Sequence, residues 1–494
     1  VRPARIICLR FRQRAWRKRE IGVSQSRSPA KASANPALTE RLKELIRRYG
    51  VPGASLAVFS DGRLEEAAAG VLNLETQVPV TPEALFQVGS ITKLYTATLA
   101  MQLVEEGRLS LDLPVRTYLP DFKVKDEETS AHVTLRHLLS HTSGIEGDLF
   151  KNAGRGEDRI EKFVALLATQ ENVHPLGEMF SYSNVGFVIA GRMIEAASGL
   201  YWDKAMRTRL IKPLGTPAFS TLPEQAMRYL TAIGHIGSPE KGLAVTPVAF
   251  LAQSNGPAGA TPMARARDVI EFARLHMPHH KPGETAPGTA ANGTRILSEE
   301  SALAMRAENI RLPAGMEIDA IGLGFMMWRG ANGTYEIFGH DGSTIGQAAW
   351  LRFHPASGTA IVLLTNGGDG KGLYHELFPA LFQELAGVKL PEKDLGPVPE
   401  KIDAARFEGT YACGLGEMKV RAEKGGLICK RVPSADYALV QPPLDIPLEA
   451  AGPDFFFGRD PGRTLAAGYH FLGEDGSGRA QYLHTGVRAY RRTL

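Results

Sequence analysis

Ser90 and Lys93 stand at the head of a long apolar segment, and this pairing constrains the chain more than any other feature. Gly89 permits a tight turn before them. Leu94, Ala97, Thr98, Met101, Leu103 and Val104 then recur at mostly helical spacing until Gly107 supplies a stop. Residues three apart on a helix share a face, so the two side chains can meet. A serine hydroxyl is a poor nucleophile until a base takes its proton. A lysine in a dry pocket can be that base, because desolvation lowers its pKa. Unpaired N–H groups at a helix start also suit a developing oxyanion. The structural alternative is an N-cap serine followed by an exposed helical lysine.

Context separates this Ser-x-x-Lys from two others. Ser28–Lys31 lies in a polar tail, and Ser238–Lys241 lies between Gly237 and Gly242 with no apolar helix behind it. Only the middle copy opens an apolar-periodic run, so it is the candidate nucleophile and base.

A chain of 494 residues is too long for one core. Its 44% hydrophobic and 22% charged content is that of a globular protein. No apolar run approaches the ~20 residues that span a bilayer, so no transmembrane segment is expected. Cys8, Cys413 and Cys429 have no metal-site spacing; Cys413 and Cys429 are equally readable as a pair or as facing thiols. The net charge of +4 misleads, because residues 1–20 alone carry +7. The body is near neutral, with no basic footprint for nucleic acid. Residues 1–36 read as a disordered basic tail, transit-like in composition but without a secretory apolar core. This tail leaves the compartment open, with a slight lean toward the cytoplasm.

Beyond the tail, Leu38–Tyr49 reads as an amphipathic helix, and Ala54–Ser60 with Leu64–Ala69 as a hairpin turning at Asp61-Gly62. Residues 108–310 are mostly helix and loop, and 278–292 read as an exposed loop. From Gly322, strands are expected at Leu323–Arg329, Tyr335–Phe338, Gln347–His354 and Thr359–Thr365, then a helix at Tyr374–Ala386. This order predicts an α+β unit over 37–390: an antiparallel sheet built from both ends of the segment, flanked by helices, with a helical region inserted. A linker is expected at 391–399 and a small all-β barrel or sandwich at 400–494, with strands including Tyr437–Gln441. Residues 37–390 are expected to fold without 400–494.

Two further clusters carry chemistry. Ser181-Tyr182-Ser183-Asn184 precedes the apolar run Val185–Ala197. Tyr182 can relay protons if a neighbouring lysine charge lowers its pKa, and Asn184 offers donor and acceptor to a substrate carbonyl. The alternative is a helix cap behind a packed tyrosine. Gly339-His340-Asp341-Gly342-Ser343 falls at the junction of two expected strands. A strand edge there can bind extended substrate and aim an N–H at the oxyanion; the alternative is a simple turn.

These three motifs, in this order, resemble the serine β-lactamase and penicillin-recognising superfamily, and specifically its class C-like branch of carboxypeptidases, D-aminopeptidases and carboxylesterases. Leu138-Leu139-Ser140-His141-Thr142-Ser143-Gly144 and Gly256-Pro257-Ala258-Gly259 add to the likeness, which covers roughly 37–390. The resemblance implies a β-lactamase/transpeptidase-like fold and an acyl-enzyme on Ser90. Lys93 and Tyr182 would share base and relay duties, Asn184 would bind the substrate carbonyl, and His340 and Gly342 would line the strand edge. The N–H groups of Ser90 and Ser343 would form the oxyanion hole. No cofactor or metal is implied; the partner is a small-molecule or peptide-like substrate.

One departure bears on substrate. Typical β-lactamases carry Lys-Thr-Gly where this chain has His340-Asp341-Gly342, so a substrate carboxylate meets an imidazole of reference pKa ~6.5. An inward Asp341 would add negative charge. An esterase or peptidase is therefore expected over an efficient β-lactamase, with activity on anionic substrates rising as pH falls through the histidine pKa. His137 and His141 are four apart, but Leu138 stands where a zinc helix has glutamate, so no metal site is assigned. Absence of G-x-S-x-G argues against an α/β-hydrolase. The rival class is a non-catalytic ligand-binding or scaffold protein. Oligomeric state is not readable from the sequence.

Overall fold

The computed structural model describes residues 33–493 apart from 241, 279–285, 390–397, 399–400, 424–425, 436, 439–440 and 461–464. Most of the expected basic tail and the expected linker, except Val398, therefore lie outside the described residues. Ser33–Ala34 (β1) at the end of that tail is ordered, pairing in parallel with Glu65–Glu66, and Asn35 caps helix α1 (Pro36–Arg48) through its side chain.

Strands β2 (Gly53–Ser60) and β3 (Arg63–Gly70) form the hairpin that Asp61-Gly62 signals, with both turn residues at positive φ. Later strands complete the sheet: β4 (Ile310–Arg311), β5 (Ala320–Ile321), β6 (Met326–Arg329), β7 (Tyr335–Ser343), β8 (Ala348–His354) and β9 (Thr359–Thr365). Their order is β1-β3-β2-β9-β8-β7-β6-β5-β4, and every pair but β1–β3 is antiparallel. The β2–β9 seam, with Ala57 opposite Val362, joins the two ends of the segment in one sheet, as expected.

Side-chain alternation divides this sheet between two cores. Ile361 and Leu363 face helices α1 and Gly370–Ala386, packing with Leu42, Leu45, Leu377 and Leu381. Ala360, Val362 and Leu364 face the inserted helical region, with Leu94, Phe187 and Phe272. Among the described residues, no helix is long and apolar enough to cross a membrane.

The C-terminal strands close an eight-stranded antiparallel barrel from Gly409 to Arg492, with Tyr411 opposite Arg492. Its interior is filled by Tyr411, Val420, Cys429, Ile446, Phe456, Phe471 and Leu483, so it is a packed plug rather than a cup. Cys413 and Cys429 are free thiols. Two strand expectations are corrected, and two strands were not expected. The described part of 437–441 is turn. Leu444–Ala450 is a strand that Pro447 disguised, and Arg488–Arg492 is a strand as well. Of Leu323–Arg329 only Met326–Arg329 is strand, because Gly324 turns at φ +88°.

Candidate active site

Ser90 does not cap a helix. Gly89–Ile91 form one 3₁₀ turn with Gly89 at φ +50°, and the α-helix proper runs Thr92–Glu105 without a side-chain cap. The hydroxyl is thus left free of backbone duty. The helix behind it is buried on nearly every side, which takes Lys93 to 0% exposure.

Lys93 Nζ lies 3.0 Å from Ser90 Oγ, 2.6 Å from Asn184 Oδ1 and 2.7 Å from the Ala258 carbonyl oxygen. The last two groups can only accept. As an ammonium Lys93 donates to all three; the deprotonated amine has two N–H bonds for the pure acceptors and a lone pair left for the serine hydroxyl. Burial drives the lysine pKa well below its ordinary value, the Arg488 charge adds to this, and Asp148 opposes it.

Tyr182 and Asn184 arrive at the start of helix Asn184–Ser198, where Ser183 supplies the cap to Gly186 N–H. The Tyr182 ring centroid is 4.7 Å from Lys93 Nζ. Its pKa is raised by burial, against a smaller lowering by the Ser90 hydroxyl, so it is a neutral phenol rather than the acidified one expected. His141, a non-glycine residue at φ +59°, stacks on Tyr182 at 4.3 Å, and its Nδ1 accepts the Ser183 N–H at 3.0 Å. That residue, set aside with a metal decoy in the sequence, is in fact a wall of the site.

The glycine-flanked histidine lies inside β7, not in a junction between strands. β7 pairs with β6 only as far as Gly339, so His340 to Ser343 present a free edge. That edge abuts the serine turn: a Cβ on Gly342 would sit 2.0 Å from the Val88 carbonyl oxygen and 3.1 Å from Ser90 N. His340 is 1% exposed and its Nδ1 donates to the Asp341 carbonyl, leaving Nε2 as a bare acceptor without a partner. Burial, then the Lys93 charge, lower its pKa to about 3. Asp341 alternates to the other face and pairs with Arg352 at 2.6 Å, so its charge reaches the pocket only as the smallest of the influences on the Tyr182 pKa.

The barrel completes the site, which the sequence did not signal. Tyr182 N–H donates to Val487 O at 2.9 Å, and Ala489 N–H to Ser181 Oγ at 3.2 Å. Arg488 between them grips Asp148 through Nε and Nη2, and its guanidinium lies 5.1 Å from the Tyr182 ring. Burial works against the Arg488 charge, but the Asp148 carboxylate more than offsets that and holds it protonated. Asp148 Oδ1 also accepts from Asn184 Nδ2 at 2.8 Å. The structure thus brings together Ser90, Lys93, Tyr182, Asn184, His340, Gly342 and Ser343, and adds His141, Asp148, Ala258 and Arg488.

The family model described as Beta-lactamase matches residues 38–385. Penicillin-binding protein 4 of Amycolatopsis lactamdurans is 42% identical over 378 residues, covering 75% of this chain and 96% of that one. The crystal structure of SurE with D-Leu has TM-score 0.69 at 31% identity, covering 92% of this chain and 99% of that one. The octameric penicillin-binding protein homologue from Pyrococcus abyssi shares the fold, with TM-score 0.59 at 23% identity over 92% of this chain and 98% of that one.

Proposed function

The chain belongs to the beta-lactamase family, and from that premise we propose that it is a serine hydrolase forming an acyl-enzyme on Ser90, with esters or amides of D-amino-acid residues as substrates. The observation that carries this reading is the fully buried Lys93, whose Nζ stands 3.0 Å from Ser90 Oγ and beside two pure acceptors, so that the deprotonated amine has a lone pair left for that hydroxyl.

In acylation, Ser90 Oγ gives its proton to Lys93 Nζ and bonds to the substrate carbonyl carbon. The carbonyl π pair moves onto oxygen, between the N–H groups of Ser90 and Ser343. Collapse of the adduct expels the leaving oxygen or nitrogen. Tyr182, a neutral phenol, donates to it and is reprotonated from Lys93. Water then reverses the sequence to free the acid. The remaining N–H of Asn184 Nδ2 is available to the substrate carbonyl.

Substrate preference follows from charge. The His340 wall is neutral and offers an acceptor, which disfavours the carboxylate of a β-lactam, and the nearby Arg488 is already paired with Asp148. An esterase or peptidase therefore fits better than an efficient β-lactamase. The likeness to a protein crystallised with D-Leu supports D-configured substrates.

The test is labelling with a fluorophosphonate and a fluorescent penicillin, followed by a panel of p-nitrophenyl esters, nitrocefin and matched D- and L-amino-acid amides. The label is expected on Ser90 and lost in Ser90→Ala, which should keep its fold because this hydroxyl caps nothing. Near wild-type turnover by Ser90→Ala would refute the mechanism, and a preference for L-amides would refute the substrate class.

A further inference from the structure

Asn184 can face Lys93 with either end of its amide, and the choice decides whether Lys93 can act as a base. With Oδ1 toward the lysine, the neutral amine donates to Asn184 and Ala258 and keeps its lone pair for Ser90. With Nδ2 toward the lysine, that lone pair would accept from the amide and be unavailable to the serine. The arbiter is Asp148, whose Oδ1 takes Nδ2 of Asn184 at 2.8 Å and, as a carboxylate, can only accept.

Asp148 is itself held firmly. Its side chain is buried, and Arg488 of the barrel grips both oxygens, with Nη2 2.9 Å from Oδ1 and Nε on Oδ2. The preceding Gly147 carbonyl accepts the N–H of Asn184 at 3.0 Å and of Val185 at 3.1 Å, strapping this loop to the start of the helix. Glu146 accepts the barrel's Gly414 N–H at 2.7 Å.

We propose that Asp148, locked by Arg488 of the barrel, is a positioning residue for acylation: it fixes the Asn184 amide with oxygen toward Lys93 and so keeps the lysine lone pair on Ser90. The inference rests on the reading of Ser90 and Lys93 as the acylating pair. It also makes the C-terminal barrel a functional part of the hydrolase, since the residue that holds Asp148 comes from the final strand.

The charges facing Lys93 give the proposal a signed test. Around its ammonium are Ser90 from the 3₁₀ turn, Asn184 and Tyr182 from the next motif, the Ala258 carbonyl, neutral His141 and His340, and the Asp148–Arg488 pair. Only the pair carries fixed charge of both signs. Losing Arg488 leaves a bare carboxylate that favours the protonated lysine; losing the Asp148 charge leaves a bare guanidinium that disfavours it.

The second-order rate of fluorophosphonate labelling is therefore measured from pH 5 to 9 in full-length wild type, Asp148→Asn, Arg488→Gln and the double variant, with KM for a neutral ester. Each single variant should label roughly 10- to 100-fold more slowly at pH 7, as for loss of a charge-assisted hydrogen bond, with KM little changed. The acidic limb should move to higher pH in Arg488→Gln and to lower pH in Asp148→Asn, and return toward wild type in the double variant. Limbs that move in the same direction, or folded variants with wild-type rates, would overturn the proposal. Should the variants not fold, neutron diffraction from deuterated wild-type crystals decides: Asn184 with its oxygen toward Asp148 would sink it. No label on wild-type Ser90 would instead refute the acyl-enzyme reading, and the amide orientation would still be decided by the neutron map.

Discussion

The backbone N–H of Tyr182 donates to the carbonyl of Val487, so the segment that brings a tyrosine to Ser90 is hydrogen-bonded to the last hairpin of the barrel, over 300 residues away in the chain. His484 Nε2 meets the Phe180 carbonyl at 3.2 Å along the same seam. The barrel therefore supports the site rather than merely following it.

A chain ending at residue 389 should for that reason lose Ser90 labelling. Truncation removes the guanidinium that holds Asp148 and the Val487 carbonyl that anchors Tyr182, so both side chains lose their supports. Labelling rate and melting temperature of the truncated protein are the measurements. Wild-type labelling without the barrel would show that the module is separable, as its sequence suggests.

Gly342→Ala should cripple turnover while leaving the fold largely intact. The added methyl would meet the Val88 carbonyl oxygen at 2.0 Å, forcing β7 away from the serine turn and opening the gap between the Ser90 and Ser343 N–H groups. Loss of one oxyanion donor costs on the order of 10²–10³ in kcat. A kcat within tenfold of wild type would mean that this edge does not hold the oxyanion.

The ratio of kcat/KM for a carboxylated ester to that for its neutral analogue should stay flat from pH 5 to 9. Burial and the neighbouring lysine lower the His340 pKa to about 3, so its ring gains no charge in this window. A ratio that rises as pH falls through 6.5 would show a solvated, titrating imidazole.

His276 predicts a pH-dependent stability. It is fully buried against Phe272 at 5.1 Å and Phe325 at 4.8 Å, and burial lowers its pKa to about 3. Because the folded pKa is depressed, the unfolded chain binds the proton first as pH drops below ~6.5. The stability present above that pH is lost progressively toward pH 3. His276→Leu removes this penalty, so relative to wild type it should gain about 2 kcal/mol between pH 6.5 and 5, at 1.36 kcal/mol per unit. Urea denaturation at the two pH values checks it; an equal difference at both would refute the assignment.

Local order was legible in the residues because it depends on neighbours in the chain. Asp61-Gly62 specified the first hairpin, Gly89 the serine turn, and the three-residue spacing of Ser90 and Lys93 the contact of their side chains. The short apolar run Thr359–Thr365 marked a strand, and the order of elements implied a sheet built from both ends. The tertiary structure decided what no local pattern encodes. Asp148 sits in an ordinary polar loop and Arg488 in a strand of mixed residues; only the docking of the barrel on the Tyr182 segment brings them together. Charge states were decided the same way. Whether His340 is a cation, Tyr182 an acid or Lys93 a base depends on the water removed and the charges brought near by residues distant in sequence, and desolvation is a property of the folded chain alone.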